Sequence, residues 1–166
     1  MLSYYKYNMT LKFFQGYPQK RFFPFLKLSF PDFSFDQYQR INNGKRFVGW
    51  VWAENTDGEL VACTAIFKKK VINSKGYKMG LFCIHPQFRR CGIGKKFYQY
   101  VSSHFNPLEW GAITEESIFF YTSIGAINHG GMSYGEGKMY NFFTSDDSSN
   151  SANREKDTEN TENTDN

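Results

Sequence analysis

The chain has 166 residues, with 20 Lys and Arg against 16 Asp and Glu, a net charge of +4, and 19 % aromatic residues. That length suits one domain around a single core. The three cysteines are scattered and odd in number, which excludes a disulfide scaffold and a zinc ligand set and points to a reducing compartment.

No apolar stretch approaches the ~20 residues of a bilayer-spanning helix. The start, Met1-Leu2-Ser3-Tyr4-Tyr5-Lys6, lacks the long aliphatic region of a signal peptide. The expectation is a cytoplasmic protein with no membrane partner, or a nuclear one if the host is eukaryotic. Residues 145–166 contain no aromatic and no large aliphatic residue, and hold seven acidic against two basic side chains. They read as a disordered acidic tail rich in Asn, Ser and Thr. Residues 1–144 then carry +9. A body of that charge suits an anionic ligand, nucleic acid or an acidic partner.

In chain order, the segment from Tyr4 to Phe14 admits a first strand, and Pro18, Pro24 and Pro31 interrupt regular structure after it. Phe35 to Ile41 reads as a short helix ended by Asn42-Asn43-Gly44. Phe47 to Ala53 and Leu60 to Lys68 form a hairpin across the turn Asn55-Thr56-Asp57-Gly58. A second turn near Asn73-Ser74-Lys75-Gly76 leads into a strand from Tyr77 to Ile84. A helix follows in which Ile93, Phe97, Tyr100, Val101 and His104 share one face, with Lys95, Lys96, Gln99 and Ser103 on the other. Trp110 to Ile113 is a fifth strand and Glu115 to Ile124 a helix. Ile127 to Phe143 is a hairpin with Gly130, Gly131, Gly135 and Gly137 at or near its turn.

The most informative stretch runs from Leu81 to Lys96: an apolar strand, the loop His85-Pro86-Gln87-Phe88-Arg89-Arg90-Cys91-Gly92-Ile93-Gly94, then a helix. A loop that feeds a helix N-terminus aims unbonded backbone N–H groups at one point, with the positive end of the helix dipole behind them. Gly92 and Gly94 let backbone approach a ligand, and the basic residues add charge of the right sign. That point suits a phosphate.

Arg89-x-x-Gly92-x-Gly94 resembles the (Gln/Arg)-x-x-Gly-x-(Gly/Ala) loop of the GCN5-related N-acetyltransferase (GNAT) superfamily. Ile84-His85-Pro86 sits where that family shows Val-x-Pro. Downstream, Thr114 to Ala126 resembles its Asn-x-x-Ala-x-x-x-Tyr-x-x-x-Gly-Phe segment, through the spacing and through Tyr121 and Gly125. The resemblance implies an α/β (mixed α+β) fold: a mostly antiparallel mixed sheet of six to seven strands, splayed between strands 4 and 5, with helices on both faces. It implies a single acetyltransferase domain over residues 1–144, acetyl-CoA as co-substrate with no metal, and an N-acetyltransferase that moves the acetyl group directly to an amine. The acceptor is a small molecule, a protein amine or a tRNA-borne amine, and the protein is a monomer or a homodimer.

On this reading Arg89, Arg90, Cys91, Gly92, Ile93, Gly94 and Lys95 hold the pyrophosphate. The backbone of Phe82, Cys83 and Ile84 pairs with pantetheine, and one of its N–H groups polarises the acetyl carbonyl. Tyr121 contacts the CoA sulfur and acts as general acid. Arg90 stands where relatives often carry glycine, and it adds a contact to the 3′-phosphate of CoA if the loop tolerates it there. For the general base, the fourth strand offers neither carboxylate nor imidazole. Glu54 at the end of the second strand, Glu115 or Glu116 at a helix start, and a water chain are the alternatives. His85 has no metal or triad partner in view and reads as structural or solvent-facing.

A function of another class is also legible. Phe13, Phe14, Phe22, Phe23, Phe25, Phe30, Phe33 and Phe35 interleave with Lys12, Lys20, Arg21 and Lys27, a composition that serves base stacking with phosphate neutralisation. The alternative is therefore a non-catalytic, degenerate acetyltransferase that binds nucleic acid through a basic aromatic face.

Overall fold

The computed structural model describes residues 9–69, 76–112, 114–134 and 137–143. In chain order these form β1 (Lys12–Gly16), α1 (Phe22–Lys27), α2 (Phe35–Asn42), β2 (Phe47–Glu54), β3 (Leu60–Lys68), β4 (Tyr77–Ile84), a 3₁₀ turn (Pro86–Phe88), α3 (Ile93–His104), β5 (Leu108–Ala112), α4 (Glu115–Ser123), β6 (Ile127–Tyr134) and β7 (Gly137–Phe143). Strands β1 to β4 pair antiparallel in sequence order, β6 pairs antiparallel with β7, and β4 pairs parallel with β5. None of the described helices is long and apolar enough to cross a membrane. The chain divides into two compact units, one ending at Trp110 and the other beginning at Gly111.

In the first unit β1 to β4 form a meander whose alternating side chains cover both faces, as the period of two in a strand requires. Trp50, Trp52, Cys63, Ala65 and Cys83 point to the face that buries Phe22, Phe25 and Leu26 of α1 and Tyr38 of α2. The opposite face meets α3, where Phe97 lies against Phe82 at 5.3 Å and Tyr100 stacks on Phe13 at 4.5 Å. Helices thus cover both faces of the meander. Most of the aromatic residues before Trp52 are spent on this core: Phe22, Phe25 and Phe33 are buried. Phe23 and Phe30 pack at its margin.

Ser34 caps α2 with a reciprocal capping box, its hydroxyl accepting from Gln37 N while the Gln37 side chain accepts from Ser34 N. Asn55 organises the β2–β3 turn by accepting from the backbone N–H groups of Asp57 and Glu59. Gly58 there has φ +79.

β4 carries the irregularity that matters for function. Its register with β3 passes from Cys63↔Cys83 to Ala65↔Gly80, so Leu81 and Phe82 oppose Thr64 alone, a β-bulge. Leu81 takes the left-handed conformation, φ 54. The fully buried Thr64 steadies the bulge by donating its hydroxyl to the Gly80 carbonyl at 2.8 Å. The parallel ladder with β5 covers Tyr77↔Leu108 and Lys78↔Glu109, short of the bulge. This is the splay expected between strands 4 and 5.

Several elements differ from expectation. β1 begins at Lys12 and runs to Gly16; the expected start, Tyr4 to Asn8, lies outside the described residues. Pro24 does not break the chain but sits in the first turn of α1, where its missing N–H has no helical acceptor to lose. β5 starts at Leu108, ahead of Trp110, and Ile113 lies outside the described residues. On α3 the buried residues are Ile93, Phe97, Tyr98 and Val101. His104 is exposed, while Tyr98 is buried and meets Trp110 edge-on at 5.3 Å.

In the second unit α4 starts at a Thr114 cap, whose hydroxyl accepts from Ser117 N. Tyr121 is buried, its ring 5.5 Å from Phe142. β6 and β7 pair as the expected hairpin, but Gly130 and Gly131 lie at a register shift within β6 and not at its turn. Asn128 there accepts from Gly130 N at 2.9 Å, and Gly130 has φ 96. Gly135 is outside the described residues.

Trp50 is fully buried, donates its indole N–H to Asn42 Oδ1 at 2.8 Å and touches Phe22, Tyr38 and Phe47. Trp50→Ala is expected to cost about 3–5 kcal/mol and Trp50→Phe less. Urea unfolding of both variants checks the order.

Candidate active site and anion-binding loop

The loop after β4 is built in three steps. His85 opens the 3₁₀ turn: its Nδ1 accepts from Gln87 N and its carbonyl from Phe88 N at 2.9 Å. Its ring sits between Phe25 and Phe88, at 5.9 and 5.4 Å. His85 is thus a structural residue. Arg89 follows in extended conformation, with its side chain turned back on the protein. Nε donates to the Ile84 carbonyl at 3.2 Å and Nη2 to Ser29 Oγ at 2.8 Å.

Arg90 then adopts φ 59 and Gly92 φ 75, two left-handed residues that swing the chain into α3. For arginine this conformation costs about 1–2 kcal/mol, and it explains why glycine suits the position. The first helical amide to find an acceptor is Lys96 N, on the Gly92 carbonyl at 3.1 Å. Among the described residues no protein group accepts from the N–H groups of Gly92, Ile93, Gly94 and Lys95, the four orphan donors of a helix start.

The approach to this turn is open at Gly92 and Lys95. Gly92 is exposed, and nothing stands within 4 Å of where a Cβ on it would point. Ile93 is buried and anchors the helix start beneath them. No acidic residue occupies the first turn of α3, while Lys95, Lys96 and Arg90 are exposed around it. Dipole, unbonded donors and cations converge on one anion-binding point.

Two neighbouring groups are chemically constrained. Burial pushes the Cys83 thiol up to about 11, against the opposing effects of its bond to Ser29 and the charge of Arg89. Cys83 donates to Ser29 Oγ at 2.9 Å, so Ser29 joins the core face of β4 to the loop through Arg89. Cys83 is therefore a protonated core thiol, and Cys63, fully buried opposite it, is likewise pushed well up by burial and then by Cys83.

Glu54 lies at the loop end of the sheet, since Glu54↔Leu60 and Ala62↔Ile84 are register pairs. Its side chain, 16 % exposed, accepts from the Arg21 guanidinium and from Trp52 Nε1 at 2.9 Å. Burial pushes the Glu54 carboxyl up, but the bonds from Arg21 and Trp52 and the charges of Arg21 and Lys12 outweigh it, and the group sits below its ordinary value.

Of the sequence-derived site residues, Phe82, Cys83, Ile84 and the run Arg89 to Lys95 come together around the end of β4. Tyr121 belongs to the second unit. Ser29, which orients Arg89, carried no sequence signal: it is one serine between Leu28 and Phe30 in an aromatic stretch.

A sequence model of the acetyltransferase (GNAT) family matches residues 11–122. The chain belongs to the GNAT family. The match spans β1 to α4 and includes the whole loop. Solved structures agree at the level of fold. One, from Desulfovibrio desulfuricans and described as of the GNAT family, superposes with TM-score 0.64 at 9 % identity, over 81 % of this chain and 98 % of that one. An aminoglycoside 6′-N-acetyltransferase complexed with coenzyme A superposes with TM-score 0.60 at 13 % identity, over 78 % and 94 %. The spermidine/spermine N-acetyltransferase SpeG from Vibrio cholerae gives 0.58 at 10 % identity, over 84 % and 93 %. No curated protein matches the chain in sequence.

Two expectations follow for this GNAT protein. Arg90→Gly relieves the left-handed strain but frees the unfolded chain, leaving a net gain of up to about 1 kcal/mol, readable as a higher urea midpoint. Because the folded pKa of Glu54 lies below the 4.5 of a free glutamate, its contribution is full above that pH and is lost as pH falls through the folded value. The melting temperature of the wild type should therefore exceed that of Glu54→Gln at pH 7, with the difference shrinking towards pH 3.

Proposed function

We propose that this GNAT-family protein is an acetyl-CoA-dependent N-acetyltransferase that moves the acetyl group directly to an amine. The observation that carries the reading is the set of four amides from Gly92 to Lys95 with no protein acceptor among the described residues, framed by the left-handed Arg90 and Gly92. Family membership supports acyl transfer in general; the amides supply what a pyrophosphate needs. Acetyl-CoA, when bound, supplies the activated thioester.

The chain's residues divide the remaining work. Gly92, Ile93, Gly94 and Lys95 donate main-chain N–H groups to the pyrophosphate, with Arg90, Cys91 and Lys95 at its margins. Arg89 acts chiefly as a strap, since its guanidinium already bonds Ser29 and Ile84. The backbone of Phe82 to Ile84, beyond the bulge at Leu81, is the edge for pantetheine, and one of its N–H groups polarises the acetyl oxygen as charge develops there. The acceptor nitrogen then bonds to the carbonyl carbon as the C–S bond breaks, and Tyr121 returns a proton to the departing thiolate.

An amine of pKa 10.4 is only about 0.04 % neutral at pH 7, a handicap of roughly 4.6 kcal/mol. Glu54 is a poor group to relieve it, because Arg21 and Trp52 occupy its carboxylate and depress its proton affinity. We assign deprotonation to a water chain at the mouth of the site. The catalytic domain is residues 1–144, a reading supported by a family match that crosses from Trp110 to Gly111, and the setting is the cytoplasm.

Gly92→Asp sets a carboxylate before the amides and should lower acetyl-CoA affinity about 100-fold or more, from two or more lost charge-assisted bonds. Calorimetric titration with acetyl-CoA reads this, and unchanged affinity would remove the assignment. Tyr121→Phe is expected to lower kcat by about 100-fold with little change in the KM for acetyl-CoA, measured by thiol release over an amine panel. An unaltered kcat would take Tyr121 out of the mechanism.

A further inference from the structure

A second basic site lies at the opposite end of the meander. The carboxyl end of α2, the start of β2 and the end of β3 border an open surface cavity of about 330 Å³ lined by Arg40, Ile41, Gly44, Lys45, Arg46, Phe47 and Phe67. Its floor is aromatic: Phe47 and Phe67 are half-buried and meet edge-on at 5.9 Å. Its rim is cationic, with Arg40, Lys45 and Arg46 all exposed.

Lys68 and Lys78 are exposed at the same sheet end, tied there by Lys68 N on the Arg46 carbonyl at 2.8 Å and by the register pair Phe67↔Lys78. The two ion pairs among the described residues are Arg21–Glu54 and Lys69–Glu109. Glu109, the acid in register with Lys78, is thus taken by Lys69, and Asp36 sits at the other end of α2. The negative end of the α2 dipole accounts for Arg40. It does not account for Lys45 and Arg46 on the same rim, or for Lys78, which pairs in register with Phe67 on the same face.

We propose that this cavity and its rim bind single-stranded nucleic acid, with Arg40, Lys45, Arg46 and Lys78 meeting phosphates and a base entering against Phe47 and Phe67. Cationic grooves with aromatic floors are how strands are held without sequence readout. An acidic peptide would use the rim and leave the aromatic floor idle, so the composition of the cavity favours a base. The site is separate from the acetyl-CoA loop: β4 starts here and ends there, and its eight residues span about 25 Å at ~3.3 Å each. The inference does not depend on the acetyltransferase reading, and it differs from the basic aromatic face expected near the N-terminus. There Phe22, Phe25 and Phe33 are core and Arg21 is paired with Glu54.

The test is anisotropy titration of a 5′-fluorescein-labelled 12-nucleotide single-stranded RNA of mixed sequence with the full chain, between 50 and 200 mM salt. Four phosphate contacts predict a log–log salt slope of about −2.8. Lys45→Glu with Arg46→Glu, both at exposed positions, should weaken binding at least about 30-fold and make the slope shallower by about 1.4. Phe67→Leu should weaken it about tenfold with the slope unchanged, provided its melting curve remains cooperative. Lys95→Ala with Lys96→Ala should leave RNA affinity within about twofold, and saturating acetyl-CoA should not displace the RNA. The proposal is overturned if the Lys45/Arg46 variant binds like wild type, or if acetyl-CoA or the Lys95/Lys96 variant abolishes RNA binding. Equal affinity for poly-glutamate with no effect of Phe67→Leu would equally overturn it, assigning the rim to an acidic partner.

Discussion

The burial of α1 against the Trp50, Trp52, Cys63 and Cys83 face of the sheet is the constraint from which the loop geometry descends. Phe22 and Leu26 are fully buried there, each such side chain contributing roughly 1.5–3 kcal/mol of hydrophobic stabilisation. With α1 so fixed, Ser29, just past its end, meets Cys83 from the core side and Arg89 from the loop side. Arg89 in turn grips the Ile84 carbonyl. The segment between β4 and α3 is thereby tied back at its base while its far side keeps its donors unbonded. The motif arginine is in this chain bonded to the protein itself, while the amides from Gly92 to Lys95 keep no protein acceptor among the described residues.

Two non-glycine residues take left-handed conformations among the described residues, Leu81 in the bulge of β4 and Arg90 in the loop. Both lie on the short stretch that carries the proposed chemistry. Strain of this kind, about 1–3 kcal/mol a residue, persists only where the surroundings over-determine the backbone. Thr64 does so for the bulge through its bond to Gly80. Buried Ile93 and strapped Arg89 do so on either side of Arg90. The bulge breaks the alternation of β4 and the loop turns the chain over, so one strand end offers both an extended edge and a cluster of donors.

The charge distribution follows the same geometry. Among the described residues, cations cluster at both ends of the meander: Arg90, Lys95 and Lys96 around the start of α3, and Arg40, Lys45 and Arg46 around the cavity between α2, β2 and β3. Meanwhile the arginine nearest the core, Arg21, is neutralised by Glu54. A whole-chain charge of +4 conceals these two positive ends separated by the length of a strand.

The extents of β2, β3 and β4 and the turn from Asn55 to Gly58 were legible in the sequence, because each rests on local chemistry. Alternation, turn residues and glycine spacing act within a few residues of one another. The loop motif was legible for the same reason: donors at a helix start need only the chain that forms them. The sequence did not disclose that Pro24 would open a helix, that Tyr98 rather than His104 would be buried, or that Ser29 would hold Arg89. Nor did it disclose that Glu54 would be disarmed by an arginine 33 positions earlier. Each of those depends on which distant surfaces meet, and only the packing of α1 and α3 on the two faces of the sheet decided them. Long-range contacts select among side chains that local pattern leaves equivalent.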